Sequence, residues 1–174
     1  MAWRPLTVTS DTLTPGLKRF FDKAGVGAAK KDKTTADFRA RQAVALQLLN
    51  FVLNGSSNER VVPPIRWGVL RGSGSAFVDG VLVGDTKSNY PDGTPNTAYA
   101  AEAGDVTIGF NTAYAARMHE TTWVPGGATP SKQAEKNPGM LADVGNKFVE
   151  KHLVADKDAL LRMYTDVFKR EAGT

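Results

Sequence analysis

The chain reads as an α+β domain. A small antiparallel sheet of three to four strands is packed by a long helix in the N-terminal half and by a C-terminal helix, with long polar loops between. Three observations predict this. Val106, Ile108 and Phe110 alternate with Thr107, Gly109 and Asn111, the period of a strand buried on one face. Phe38, Ala45, Leu48, Leu49 and Val52 recur at helical spacing. Asp79-Gly80 separates two apolar runs, and both central positions of a type I′ hairpin turn require positive φ, which Asp and Gly tolerate.

In chain order, Thr14-Pro15 opens a short helix with Leu17, Phe20 and Phe21 on one side, stopping before Gly25. Ala28 to Lys33 is a small, charged linker. Thr34-Thr35-Ala36-Asp37 has a hydroxyl followed three residues later by a carboxylate, the pattern of a capping box. It starts the long helix, Thr35 to Leu53, and Asn54-Gly55 stops it. Val61-Val62-Pro63-Pro64 is extended but cannot be a central strand, because proline has no amide to donate.

Glycine beside small hydroxyls in Arg71-Gly72-Ser73-Gly74-Ser75 indicates a bend or a close approach of backbones. The hairpin Ala76-Phe77-Val78, Asp79-Gly80, Val81-Leu82-Val83 follows, and Gly84 to Pro95 is a polar surface loop. Thr97 to Glu102 fits helix by its alanines and strand by its short link to the next strand; we take strand. After Val106 to Phe110, Asn111-Thr112 starts a helix with Tyr114, Ala115 and Met118 inward and Arg117 and Glu120 outward.

Thr121 to about Met140 has no period, which marks a functional arm more often than a connector. Asp156 begins the closing helix, to about Glu171, with Leu160, Leu161, Tyr164, Val167 and Phe168 as its buried face. The chain is thus a single domain, 1–174: an N-terminal helix and basic linker at 1–33, helix plus sheet at 34–120, an extended arm or loop at 121–146 and a closing helix at 147–174.

Composition narrows the function classes. Of the residues, 41% are hydrophobic and 23% charged, as in globular proteins. No apolar stretch approaches the roughly 20 residues of a membrane span, and Met1 to Pro5 lacks a signal pattern. With no cysteine there are no disulfides or thiolate metal sites, consistent with assembly in a reducing cytoplasm. The net charge of +4 is uneven: Pro15 to Arg41 holds eight basic residues (Lys18, Arg19, Lys23, Lys30, Lys31, Lys33, Arg39 and Arg41) against three acidic ones. That segment is either a solvated linker with a helix face or one that meets phosphate or an acidic protein face.

Catalytic signatures fail one by one. His119-Glu120-Thr121-Thr122-Trp123 resembles the helical zinc motif, but Trp123 stands where the second histidine belongs. His119 is then a hydrogen-bonded helix-end residue. Arg71 to Ser75 lacks the third glycine and helix of a dinucleotide loop and the Lys-Ser/Thr of a phosphate loop. No carboxylate pair has an acid–base spacing. The expectation is a non-enzyme without metal or cofactor.

Three segments carry a family resemblance: Leu70-Arg71-Gly72-Ser73-Gly74-Ser75-Ala76-Phe77-Val78, then Val106 to Glu120, then Gly145-Asn146-Lys147-Phe148-Val149-Glu150-Lys151. In this order they resemble the tail-completion or minor capsid proteins at the head–tail neck of long-tailed bacteriophages. Departures are Ala113 for a usual proline and Val149 for a usual leucine.

The resemblance implies a ring-forming structural virion protein, a hexamer or dodecamer. It would join a head-completion, stopper or adaptor protein to a tail terminator or tail tube, with genomic DNA passing through the lumen. The implied location is the virion neck, reached through the host cytoplasm. The alternatives are a tail-terminator subunit capping the tail tube, or a nucleic-acid-binding module using residues 18–41. The expected interface residues are Trp123, Val124, Pro125, Arg117, Glu120, Tyr90 and Arg71, with Lys18, Arg19, Lys30, Lys31 and Lys33 facing DNA. Trp123 equally suits an anchor on a neighbour and a cap on its own core.

Overall fold

A computed structural model describes residues 6–8, 35–63, 68–98, 104–120, 143–144 and 147–173. The helix expected at Thr14, the basic linker and the 121–142 part of the arm lie outside these residues, as do residues 99–103 of the strand expected at Thr97; Thr97 and Ala98 themselves are irregular.

Helix α1 spans Ala36–Asn54. Its N-cap is Thr35, whose Oγ1 accepts from the Phe38 amide at 3.1 Å. The capping box read from Thr34 and Asp37 is therefore corrected by one residue. Thr34 lies outside the described residues, and the Asp37 carboxylate accepts from Arg41 and Tyr164. Gly55, at φ +80°, ends the helix by donating its amide to the Phe51 carbonyl at 2.8 Å.

Strands β1 (Leu6–Val8), β3 (Gly74–Val78), β4 (Val81–Asp85) and β5 (Val106–Phe110) form one antiparallel sheet in the order β1-β5-β3-β4. Asp79 at φ +53° and Gly80 at φ +76° make the expected hairpin turn. Between Ala76↔Gly84 and Phe77↔Leu82 the register shifts, so Val83 is an extra residue that bulges β4.

One sheet face, Ala76, Val78, Ile108 and Phe110, packs on Phe38, Ala45, Leu48, Leu49 and Val52 of α1. The other face is also buried: Ser75, Phe77, Thr107 and Gly109 are all inaccessible. Alternation in β5 predicted one wet face, and that expectation is overturned. Small and hydroxylated residues here report close packing rather than solvent.

Helix α2, Val69–Gly72, is a single turn that periodicity did not predict. Just after it, the Thr86 hydroxyl donates to the Arg71 carbonyl and accepts from the Gly74 amide at 3.0 Å. A Cβ on Gly72 would strike the Tyr90 carbonyl and lie 2.7 Å from the Gly93 amide nitrogen. The 86–95 loop thus crosses directly over the start of β3, the close backbone approach read from the glycines. Asn111 extends this anchoring by donating Nδ2 to the Thr94 carbonyl at 3.1 Å.

The next helix begins four residues after Asn111, later than expected, with the Ala115 amide donating to the Thr112 carbonyl at 3.1 Å. Helix α3 is Ala115–Glu120, with Ala115 buried as expected. Tyr114 is 42% exposed rather than inward, since it precedes the helix in a turn.

Strand β2, Val61–Val62, pairs in parallel with β6, Asp143–Val144, apart from the main sheet. The closing segment is two helices, α4 (Phe148–Ala155) and α5 (Lys157–Ala172), meeting at Asp156. Leu160 and Tyr164 are buried against α1, while Leu161, Val167 and Phe168 are half-buried.

Candidate interaction surface

The three segments that carried the family resemblance meet at one corner. Gly74 of β3 is in register with Phe110 of β5. Phe148, opening α4, sets its ring edge-on to Phe110 at 5.6 Å and to His119 at 4.9 Å between centroids. The Lys147 amide donates to the His119 carbonyl at 2.8 Å. Phe148 is fully buried, so its aromatic contacts and apolar area join the end of α3 to the start of α4.

Charges decorate the outside of this corner. Glu120 lies between Lys147, which pairs with it, and His119, whose Nδ1 is 2.8 Å from Glu120 Oε1. Lys147 also reaches Glu150 at 3.3 Å. The hydrogen bond from Lys147, then that from His119, holds the Glu120 carboxyl below its ordinary range, and Glu120 raises the Lys147 ammonium in return. Burial pushes His119 down despite Glu120.

Glu120 and Glu150 are exposed, so these pairs are screened and contribute at most about 1 kcal/mol each. Lys147 sits at φ +55°, a left-handed conformation that costs a non-glycine residue roughly 1 kcal/mol or more. Arg117 points outward on the same helix and is exposed. The corner therefore offers Tyr114, Arg117 and Glu120 to solvent above the buried Phe148 and His119 rings.

Of the sequence-predicted interface residues, Arg117 and Glu120 lie here. Tyr90 is half-buried on the 86–95 loop. Arg71 is a correction: it is fully buried. Its Nε donates to the Pro63 carbonyl at 3.0 Å, and its guanidinium carbon lies 5.9 Å from the Tyr90 ring centroid. Burial lowers its pKa, with the Tyr90 hydroxyl opposing. Arg71 holds the loop in place instead of meeting a partner. Arg41 likewise leaves the basic surface, being buried between Asp37 and Asp79. Trp123, Val124, Pro125, Lys18, Arg19, Lys30, Lys31 and Lys33 lie outside the described residues.

Periodicity missed a second polar cluster. His152 on α4 and Asp156, the residue that caps its end, are four apart, a spacing that brings them together on one side. Ser56 completes a serine–histidine–aspartate trio, but in an order unsuited to nucleophilic catalysis. Its Oγ donates to Asp156 Oδ1 at 2.7 Å, while His152 Nε2 faces the Val61 carbonyl at 2.9 Å. A serine nucleophile needs its hydroxyl on the imidazole, not on the carboxylate. Among the described residues, no group of three or more His, Asp or Glu is placed to hold a metal ion, and no helix is long and apolar enough to cross a membrane.

No protein-family model matches the chain, and neither a curated protein nor a solved structure shows significant similarity to it.

Proposed function

We propose that the chain is a structural subunit of a long-tailed phage virion, forming a homo-oligomeric ring at the head–tail neck. One observation carries the reading. The Leu70–Val78, Val106–Glu120 and Lys147–Lys151 segments, far apart in sequence, pack into one corner through Gly74, Phe110, His119 and Phe148. That corner ends in a solvent-facing helix carrying Arg117 and Glu120.

A ring requires two different patches per subunit that meet across each copy-to-copy contact. Exposed charges of both signs suit such a contact, because they set register and exclude wrong partners. In this reading Trp123 to Pro125 clamps a neighbour, and Lys18, Arg19, Lys30, Lys31 and Lys33 line a DNA-filled lumen.

Mass measurement by light scattering and negative-stain imaging test it together with proteomics of purified virions. The expected result is a closed hexamer or dodecamer and a chain present at the neck. A monomer at all concentrations that is also missing from virions would end the proposal.

A further inference from the structure

We propose that copies of this chain join edge to edge, the outer edge of β4 in one copy pairing antiparallel with the outer edge of β1 in the next. This contact rests on the ring reading and gives the ring its copy-to-copy joint. The main sheet ends in β1 on one side and β4 on the other, and among the described residues no strand pairs with the outer side of either. An open edge presents unpaired amides and carbonyls, a template for another strand.

The hydrogen bonds show which groups face outward. The Asn111 amide donates to the Ser73 carbonyl at 3.1 Å and the Asp79 amide to the Asp105 carbonyl at 3.0 Å, so odd-numbered residues of β3 bond β5. Even-numbered ones turn to β4, where the Thr86 amide donates to the Gly74 carbonyl at 3.1 Å. Leu82 and Asp85, in register with Phe77 and Ser75, therefore direct their backbone groups away from the sheet. By the same alternation Leu6 and Val8 bond β5, and Thr7, in register with Gly109, directs its amide and carbonyl outward.

Strand direction and charge select the occupant. Every neighbouring pair in the order β1-β5-β3-β4 is antiparallel, so β1 and β4 run in opposite directions. A copy placed head to tail brings its β1 alongside β4 with the alternation unbroken. That alignment sets the C-terminal end of β4, where Asp85 and Lys87 are exposed, beside the Leu6 end of β1. Leu6 is in register with Phe110, the last residue of β5, and α3 follows there and packs beside β1 with Arg117 and Glu120 exposed. An acid and a base on one copy thus approach a base and an acid on the other. A β4–β4 pairing across a twofold axis is antiparallel too, but it leaves β1 open and closes at two copies.

The middle of the contact is free of charge. Val81 to Gly84 are uncharged and half-buried, with neither lysine nor proline to blunt the edge. Leu46 of α1, 40% exposed, lies over Gly84, where a Cβ would strike its Cδ2. From Gln42 to Asn54, α1 carries no charged residue, so the helix bordering β4 has the charge depletion of an interface core.

The chain has no cysteine, which makes cross-linking a clean test. Thr7→Cys is combined with Leu82→Cys in one full-length variant and with Asp85→Cys in another, and each is mildly oxidised with oxidised glutathione. Within one copy the two edges are three strand spacings, roughly 14 Å, apart, too far for a disulfide. At least one double variant is expected to give a reducible ladder extending beyond the dimer, and each single variant none. Leu82→Pro, which removes an outward amide, should weaken association about tenfold by light scattering, and Leu82→Ile should not. A covalent dimer from Leu82→Cys or Asp85→Cys alone overturns the proposal, because β4 then meets itself. A wild-type ring with no ladder in either double variant overturns this pairing and leaves the ring standing. A wild-type chain that is monomeric at all concentrations ends both. If Leu82→Pro does not fold, the cysteine variants decide alone.

Discussion

Arg41 is the centre of a buried polar network that joins Asp37, Asp79 and Tyr164. Nε donates to Asp37 at 2.8 Å, and Nη1 donates to Asp79 at 2.6 Å. The Tyr164 hydroxyl donates to Asp37 at 2.8 Å, and Asp79 also accepts from the Gly104 amide at 2.6 Å. One guanidinium thus ties α1, the hairpin turn and α5. Burial pulls its pKa down, but the Asp79 and Asp37 hydrogen bonds prevail and the net shift is upward. Arg41→Leu leaves two buried carboxylates without their cation and is expected to cost about 3–5 kcal/mol in urea unfolding. Tyr164→Phe removes one buried hydrogen bond and should cost about 1–2 kcal/mol at neutral pH. Burial, then the bond to Asp37, raises the Tyr164 pKa. Its contribution is therefore complete below the ordinary tyrosine range of about 10 and is lost as pH climbs through it. A melting series at alkaline pH should fall less steeply in Tyr164→Phe than in the wild type.

Among the elements, the long helix and the hairpin were legible because each has a local cause. Thr35 and Gly55 bound α1, and the Asp79 and Gly80 dihedrals close the hairpin. Thr35→Ala is expected to cost about 1 kcal/mol through loss of the hydroxyl that meets the Phe38 amide, measurable by chemical denaturation. The 86–95 loop was legible only as polar. Its fixed path depends on Thr86, Gly72 and Gly93, and no periodic signal exists for one backbone crossing another. Gly72→Ala places a methyl group against the Tyr90 carbonyl, a rigid neighbour. The expected loss is about 1–3 kcal/mol or more, with amide shifts spread over residues 86–95. The α2 turn was invisible for a similar reason: four residues are too few to show a 3.6-residue period.

For the whole molecule, the prediction concerns assembly. Arg117 is exposed on α3, so Arg117→Glu should leave the melting temperature nearly unchanged, within about 0.5 kcal/mol of stability. In the ring reading it should shift the mass by light scattering from oligomer to monomer, and an unaltered oligomer would remove Arg117 from the contact. The sequence by itself determined the α+β class, the main helix, the hairpin, the central strand and the closing helix. Each rests on short-range periodicity or on turn residues whose dihedral preferences are intrinsic. Tertiary structure alone decided which charges are surface and which are core. Arg71 and Arg41 look like surface arginines in one dimension, yet both are fully buried, because carbonyls, carboxylates and an aromatic ring from distant segments surround them. Desolvating a charge is tolerable only when such partners converge, and their convergence is a property of the folded chain.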